Sequence, residues 1–358
     1  MDYPLPVAVI GAGGFGSWTL RALQRSPLVR IVAVGDKDQS VAVRAAADVG
    51  AAAYSDNRSL LAEAKPAAVF LAVPPMAAAE ILTLCIDRGI HVWKEMPLAR
   101  RLDEAAAFVL AAEKAGVKFA VGTQRRFFRG YRRAYELRQR LGPIFLGRSH
   151  YLFNWGPRLT WRGDRASAGG GALMELGYPF VDLLVWMLGL PDAVYGLSAS
   201  GRRAEKLAPE DKLQPPYDTD DTAAAILRYN SGLMATVVAT RASGPISEEL
   251  SLHGRGGSLQ ANSEMALLRN PDGEVLDQVH EDSDPLAVFV RQVETFVRAV
   301  RDETATYECS ARENLLNLAV IDAIYLSDRT AQPESPLHRL KIHGLDLNEC
   351  LAMRPAGQ

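Results

Sequence analysis

The chain has 358 residues, with 40 lysines and arginines against 42 aspartates and glutamates, and 48% of its residues are hydrophobic. Its formal net charge of −2 leaves no basic face for nucleic acid and no polybasic membrane signal. The length allows two domains, each with its own core. No apolar run reads as a membrane span, and Met1-Asp2-Tyr3-Pro4 lacks a leader layout. Cys85, Cys309 and Cys350 are few and far apart, and the 6 histidines are scattered. Reduced thiols, a cytoplasmic location and no metal centre are expected.

In chain order, the first element is an apolar strand, Val7-Ala8-Val9-Ile10, that stops at Gly11-Ala12-Gly13-Gly14-Phe15-Gly16. A helical pattern follows, then a second strand, Ile31-Val32-Ala33-Val34, ending at Gly35-Asp36. Strand, Gly-x-Gly-x-x-Gly, helix, strand and acid form a dinucleotide-binding arrangement. Gly11 permits the tight turn, Gly13 lets backbone approach a pyrophosphate, and Gly16 lets helix and strand pack closely. The helix N-terminus offers free N–H groups to phosphate. Asp36 suits the ribose hydroxyls of NAD, whereas Lys37 beside it leaves NADP open.

Further apolar runs at 68–73, 90–93 and 117–121 alternate with helical stretches near 39–48, 57–64, 77–88 and 103–115. This alternation predicts a doubly wound parallel sheet, an α/β Rossmann domain over residues 1–125. Val69-Phe70-Leu71-Ala72-Val73 ends at Pro74 and Pro75, a strand terminus suited to lie beside a cofactor. From 126 to 345 the character changes. Strand-like segments at 144–153, 193–201, 222–229, 233–240, 249–253 and 258–261 predict a large, mainly antiparallel open sheet. Asn230-Ser231-Gly232 reads as a hairpin turn. Gly169-Gly170-Gly171 opens an apolar helix towards Leu188, helices follow at 286–302 and 311–329, and 346–358 reads as a tail.

These motifs, in this order, resemble the glucose-fructose oxidoreductase and inositol dehydrogenase family (Gfo/Idh/MocA). The residues that carry the resemblance include Ala72-Val73-Pro74-Pro75, Lys94-Glu95-Met96-Pro97, Gly122-Thr123-Gln124-Arg125-Arg126, Gly177-Tyr178-Pro179 and Asp182-Leu183-Leu184-Val185-Trp186. The resemblance implies a cofactor held by Gly11, Gly13, Gly14, Phe15, Gly16, Asp36, Lys37, Val73, Pro74, Glu95, Met96 and Gln124. It implies a small-molecule substrate near Arg125, Trp161, Arg162 and Pro179, a homodimer or homotetramer, and oxidation of a sugar or cyclitol hydroxyl or the reverse reduction.

The family pattern supplies a lysine in Glu-Lys-Pro and an acid and a histidine in Asp-Ile-Gly-x-His. Here those three positions hold Met96, Glu175 and Pro179. Methionine and proline have no exchangeable side-chain proton, so neither is a general acid or base. Lys94, Glu175 and Tyr178 are the candidate replacements. Lys94 shares a strand face with position 96. Tyr178 would serve if a neighbouring lysine lowered its pKa, and Glu175 keeps a carboxylate at the acid position. Pro179 requires the helix to start or kink near it. Tyr151 to Arg162, dense in aromatics and arginines, reads as a ligand wall, with an oligomer interface as the alternative for Trp155. Besides an oxidoreductase, two readings stay open: an NAD-binding sensor without turnover, and a redox-neutral enzyme that keeps its NAD.

Overall fold

The computed structural model describes residues 4–352, apart from 157–158, 201–216, 283, 303 and 306. Six parallel strands form the first sheet: β1 (Leu5–Ile10), β2 (Val29–Gly35), β3 (Ala52–Tyr54), β4 (Ala68–Leu71), β5 (His91–Glu95) and β6 (Phe119–Gly122). Their order, β3-β2-β1-β4-β5-β6, is the doubly wound Rossmann order. β4 and β6 are buried along their whole length, as strands covered on both faces must be. The connecting helices are α1 (Gly14–Arg25), α2 (Gln39–Val49), α3 (Asn57–Glu63), α4 (Pro75–Ile86) and α5 (Leu102–Lys114). Side-chain caps fix two of their starts: Asp38 accepts from the Ser40 and Val41 N–H groups, and Asp56 from Ser59. β3 is a short strand that sequence periodicity did not indicate.

A 3-10 turn, Gln124–Phe127, leads from β6 to α6 (Arg129–Leu137) and the second sheet. That sheet has eight strands: β7 (Ile144–Asn154), β8 (Ala193–Ala199), β9 (Thr222–Arg228), β10 (Met234–Thr240), β11 (Ala242–Gly254), β12 (Gly257–Ala261), β13 (Met265–Arg269) and β14 (Val275–His280). Its order is β14-β13-β12-β11-β7-β10-β9-β8, antiparallel except for the parallel pair β10·β7. The expected hairpin turn at 230–232 joins β9 to β10, with the Gly232 N–H donating to the Tyr229 carbonyl at 3.0 Å. β13 and β14 extend the sheet beyond the sequence expectation.

The short helix α7 (Arg165–Ala168) packs against α4, and α8 (Tyr178–Leu188) packs beneath this sheet, with a π turn, Leu173–Gly177, immediately before it. The span Arg165–Leu188 is long and apolar enough to cross a membrane by length and composition, contrary to the sequence reading. Within it, 89% of the apolar window is buried inside the protein. Pro179 lies in the first turn of α8, where its missing N–H breaks no helical bond.

The chain then returns to the first sheet. Helix α9 (Pro285–Arg301) lays Phe289, Val293, Phe296 and Val297 against Phe70 and Trp93. The Phe289 ring meets Trp93 at 5.2 Å and Phe15 at 5.4 Å between centroids. Helix α10 (Ala311–Thr330) runs through the core between the two sheets, and α11 (Pro336–Ile342) and α12 (Leu347–Ala352) pack on it. The expected tail is therefore helical up to 352, because Cys350 is buried and Leu347 packs against the core. Residues 353–358 lie outside the described residues.

Where the 3-10 turn meets α8 and α10, Arg126 is buried in an ion cluster. Its guanidinium donates to Asp182 at 2.7 and 2.5 Å and to Glu313 at 2.8 Å. Replacing Arg126 with methionine would strand two buried carboxylates. Urea denaturation of the R126M protein is expected to show a loss of about 3–5 kcal/mol.

Candidate active site

The glycine turn does what its spacing requires. Gly11 has φ +92°, and a Cβ there would lie 2.4 Å from the Ala72 carbonyl oxygen. A Cβ on Gly16 would lie 1.7 Å from the Gly11 oxygen. At Gly13 and Gly14, by contrast, nothing lies within 4 Å of where a Cβ would stand. That open space, at the N-terminus of α1, fits a pyrophosphate. Asp36 braces the turn: one carboxylate oxygen accepts from the Ala12 N–H at 2.9 Å, the other from the Asp38 N–H at 3.0 Å. Each oxygen keeps lone-pair capacity for a ribose hydroxyl. Lys37 is exposed beside it. Val73 and Pro74 follow β4 directly, and Pro74 caps α4.

At the end of β5, Glu95 and Gln124 meet. The Gln124 amide donates to the Glu95 carboxylate at 3.0 Å. A Cβ on Gly122 would stand 2.6 Å from that carboxylate, so the glycine makes room for it. Burial pushes the Glu95 carboxyl up to about 8. Met96, partly buried, packs against the core and offers this corner only a thioether. Lys94 does not take the place of the missing lysine. It is 1% exposed, and its ammonium donates to the carbonyls of Glu95 at 2.9 Å and Pro97 at 2.5 Å. It is a strut beneath the Met96-Pro97 turn, and burial lowers it to about 8.

Tyr178 is likewise enclosed. It is 0% exposed and donates to the Asn314 side-chain oxygen at 3.1 Å. Burial raises its phenol well above the ordinary value, the reverse of the shift that proton exchange would need. Arg125 is paired with Glu248 and stacked on Tyr151 and Phe180, 4.4 and 4.9 Å from their ring centroids. Pro179 is buried and contributes shape to the wall rather than a polar atom.

Glu175 is different. It sits in the π turn, an irregularity often found at functional sites. One carboxylate oxygen accepts from the Arg162 Nε. The other is buried and has no hydrogen-bond partner among the described residues. Burial raises this carboxyl, while Arg162 and then Arg241 oppose the rise. Arg162 is itself clamped between two indoles, with its guanidinium 4.4 Å from the Trp155 ring and 4.4 Å from Trp161. The structure thus gathers Glu175, Arg162 and Trp161 from the sequence-derived candidates and adds Trp155. Glu248 and Arg241 were missed. Arg241 lies between β10 and β11 and Glu248 within β11, charged positions whose role is visible only once a partner is known.

Residues 5–123 match the family described as an oxidoreductase family with an NAD-binding Rossmann fold. Residues 131–260 match the GFO/IDH/MocA C-terminal domain. The chain belongs to the Gfo/Idh/MocA oxidoreductases. D-xylose 1-dehydrogenase (NADP(+)) 2 of Haloferax volcanii is 28% identical over 336 residues, 90% of this chain and 97% of that protein. Levoglucosan dehydrogenase of Pseudarthrobacter phenanthrenivorans is 26% identical over 73% of this chain and 74% of its own length. Among solved structures, levoglucosan dehydrogenase in complex with NADH and levoglucosan matches with TM-score 0.85 and 21% identity, over 93% of this chain and 99% of that one. An oxidoreductase domain protein from Kribbella flavida matches with TM-score 0.83 and 24% identity, again over 93% and 99%. These likenesses establish a shared fold. Family membership makes the first sheet an NAD-binding domain and the protein an oxidoreductase.

Two measurements check this geometry. Gly16→Val drives a side chain into the Gly11 carbonyl, and NADH titration by fluorescence is expected to show binding lost. The Glu95 carboxyl, raised in the folded protein, favours folding fully below its unfolded value of about 4.3, and that contribution is lost as pH rises through about 8. Thermal melts across this range are expected to show a decline that Glu95→Gln flattens.

Proposed function

We propose that this oxidoreductase moves hydrogen between NAD and a hydroxyl-bearing carbon of a neutral sugar, cyclitol or related small polar molecule, with Glu175 exchanging the hydroxyl proton. The observation that carries the reading is Glu175 itself. One of its oxygens is fixed by a clamped arginine, and the other is buried without a partner among the described residues. A substrate hydroxyl is the group that would satisfy it.

NAD, when bound, supplies the acceptor for the carbon-bound hydrogen and its electron pair. The glycine turn and Asp36 hold its pyrophosphate and adenosine ribose, and Glu95, Met96 and Gln124 form the nicotinamide corner. Asp36, a carboxylate where a 2′-phosphate would sit, favours NAD over NADP. In oxidation, ionised Glu175 accepts the hydroxyl proton as the carbonyl forms; in reduction, protonated Glu175 returns it. Arg162 orients the carboxylate and keeps enough of it ionised to act as a base. Trp155 and Trp161 offer flat apolar faces of the kind sugar rings stack on.

A neutral substrate fits the charge. Among the described residues of the wall, Arg125 and Arg162 are each already paired, with Glu248 and Glu175, which supports a substrate without a carboxylate; Arg158, in the same segment, lies outside the described residues. The names of two relatives, a xylose dehydrogenase and a levoglucosan dehydrogenase, support the sugar class.

The same reading includes a homodimer or homotetramer. The outer face of the eight-stranded sheet exposes Tyr195, Leu197, Ile226 and Met234, which a second copy would cover.

Purified protein with NAD or NADP and a panel of D-xylose, levoglucosan and inositol is expected to change nicotinamide absorbance with at least one of them. Silence on all of them despite NADH binding would favour the sensor reading. Glu175→Gln is expected to lower turnover about a hundredfold to ten-thousandfold with NADH affinity unchanged. Oxidation is expected to rise with pH on a limb above the ordinary carboxylate range, because the base form appears only above the raised pKa. Light scattering is expected to give an oligomer that Ile226→Arg weakens.

A further inference from the structure

We infer that Arg241 is a positioning residue for this site, holding both indoles around Arg162 and thereby setting the charge on Glu175. The inference rests on the reading of Glu175 as the proton-exchanging group. Arg241 lies between β10 and β11 and is 0% exposed, a costly place for a guanidinium unless every donor is used. Its Nε donates to Asp221 at 3.2 Å, its Nη1 to the Arg162 carbonyl at 3.2 Å, and its Nη2 to the Thr219 hydroxyl at 2.7 Å. That hydroxyl in turn donates to the carbonyls of Arg162 at 2.9 Å and Gly163 at 3.2 Å. The main chain of Arg241 completes the frame, its carbonyl accepting from the Trp155 N–H at 3.0 Å.

One buried residue therefore holds both segments that form the clamp. The loop carrying Trp161 and Arg162 hangs from its side chain, and Trp155 from its backbone. Trp155 follows directly on β7, its bond to Arg241 continuing the β7·β11 pairing, while the Trp161–Arg162 turn lies outside the sheet and has the Asp218 N–H on its Gly163 carbonyl at 3.0 Å as a further backbone tie. Loss of the guanidinium removes one of the two donors on the Arg162 carbonyl and the anchor of the Thr219 hydroxyl that supplies the other, so the Arg162 loop loosens against Trp155 and the grip of Arg162 on Glu175 weakens. Arg241 also acts on Glu175 through space. Among the described residues, the charged and titratable groups around that carboxyl are Arg162 and Arg241, which favour its ionised form, and Asp220 and Tyr151, which oppose it. Asp220 is anchored separately, accepting from the Gly171 N–H at 2.8 Å, the Leu173 N–H at 2.9 Å and the Tyr325 hydroxyl at 2.8 Å. Its opposing charge thus stays in place when Arg241 is changed.

The test uses the full chain in three forms: R241K, which keeps the charge but loses the fork; the paired change R241M with D221N, which removes both charges at similar volume; and E175Q. Two readouts are followed against pH: oxidation of D-xylose or levoglucosan, and intrinsic tryptophan fluorescence from the Trp155–Arg162–Trp161 clamp. The wild-type fluorescence midpoint is expected to vanish in E175Q, to stay near its place in R241K, and to move up by about one pH unit in the paired variant. KM for the sugar is expected to rise about tenfold in both Arg241 variants with NADH affinity unchanged. If the paired variant fails to fold, Thr219→Val, which keeps Arg241 and removes the hydroxyl that bridges it to the Arg162 and Gly163 carbonyls, is expected to raise KM in the same direction. An unmoved midpoint and unchanged KM in these variants overturn the inference. If E175Q keeps full turnover, the proton-exchange reading falls instead, and the fluorescence midpoint alone decides whether Arg241 sets the charge on Glu175.

Discussion

The ion cluster around Arg126 is the constraint on which the rest of the site depends. A guanidinium that is 1% exposed must have its charge matched and its donors used. Here Asp182 takes two donors and Glu313 a third, while Asn317 adds a hydrogen bond to Asp182 at 2.7 Å. The cluster joins three elements distant in sequence: the turn after β6, helix α8 and helix α10. Gln124 stands two residues before Arg126 and holds Glu95; Glu175 stands in the π turn that runs into α8. The cofactor corner and the substrate wall are therefore fixed relative to each other by one buried cation and its two acids.

Two of the chemically plausible candidates are enclosed by their partners. Tyr178 faces Asn314, a neighbour of the cluster, and is sealed there. Lys94 is sealed beneath the Met96-Pro97 turn with carbonyl partners. Both are polar groups spent on satisfying backbone or side-chain partners in a dry interior. Glu175 differs because its partner, Arg162, satisfies one oxygen and leaves the other in need of a donor. An unsatisfied buried oxygen has a cost in the free protein, and on the proposed reading a substrate hydroxyl is the donor that removes it.

The legible parts of the sequence were those whose meaning is local. Gly11 and Gly16 are required by atoms a few residues away or one strand over, and the strand-turn-helix pattern displays that need directly. Pro179 announced a helix start or kink for the same reason, and the structure has a π turn running into α8, which begins one residue before it. The aromatic and arginine content of 151–162 marked a ligand wall, although which aromatic meets which arginine did not follow. Arg241 was illegible because its donors serve Thr219, Asp221 and Arg162, up to 79 residues away. The return of α9 to the first sheet was hidden as well, since its apolar stripe shows a buried face but not what buries it.

Sequence alone determined the nucleotide-binding turn, the alternation of strands and helices in the first sheet, and the family. Each of these rests on residue identity at a short spacing. Tertiary structure decided which remaining polar groups are free to react. That outcome depends on burial and on partners brought together from distant segments, and no local pattern records it. Lys94, Tyr178 and Glu175 are all ionisable side chains near the same motifs. Packing closes the first two around their partners and leaves the third with an oxygen to offer.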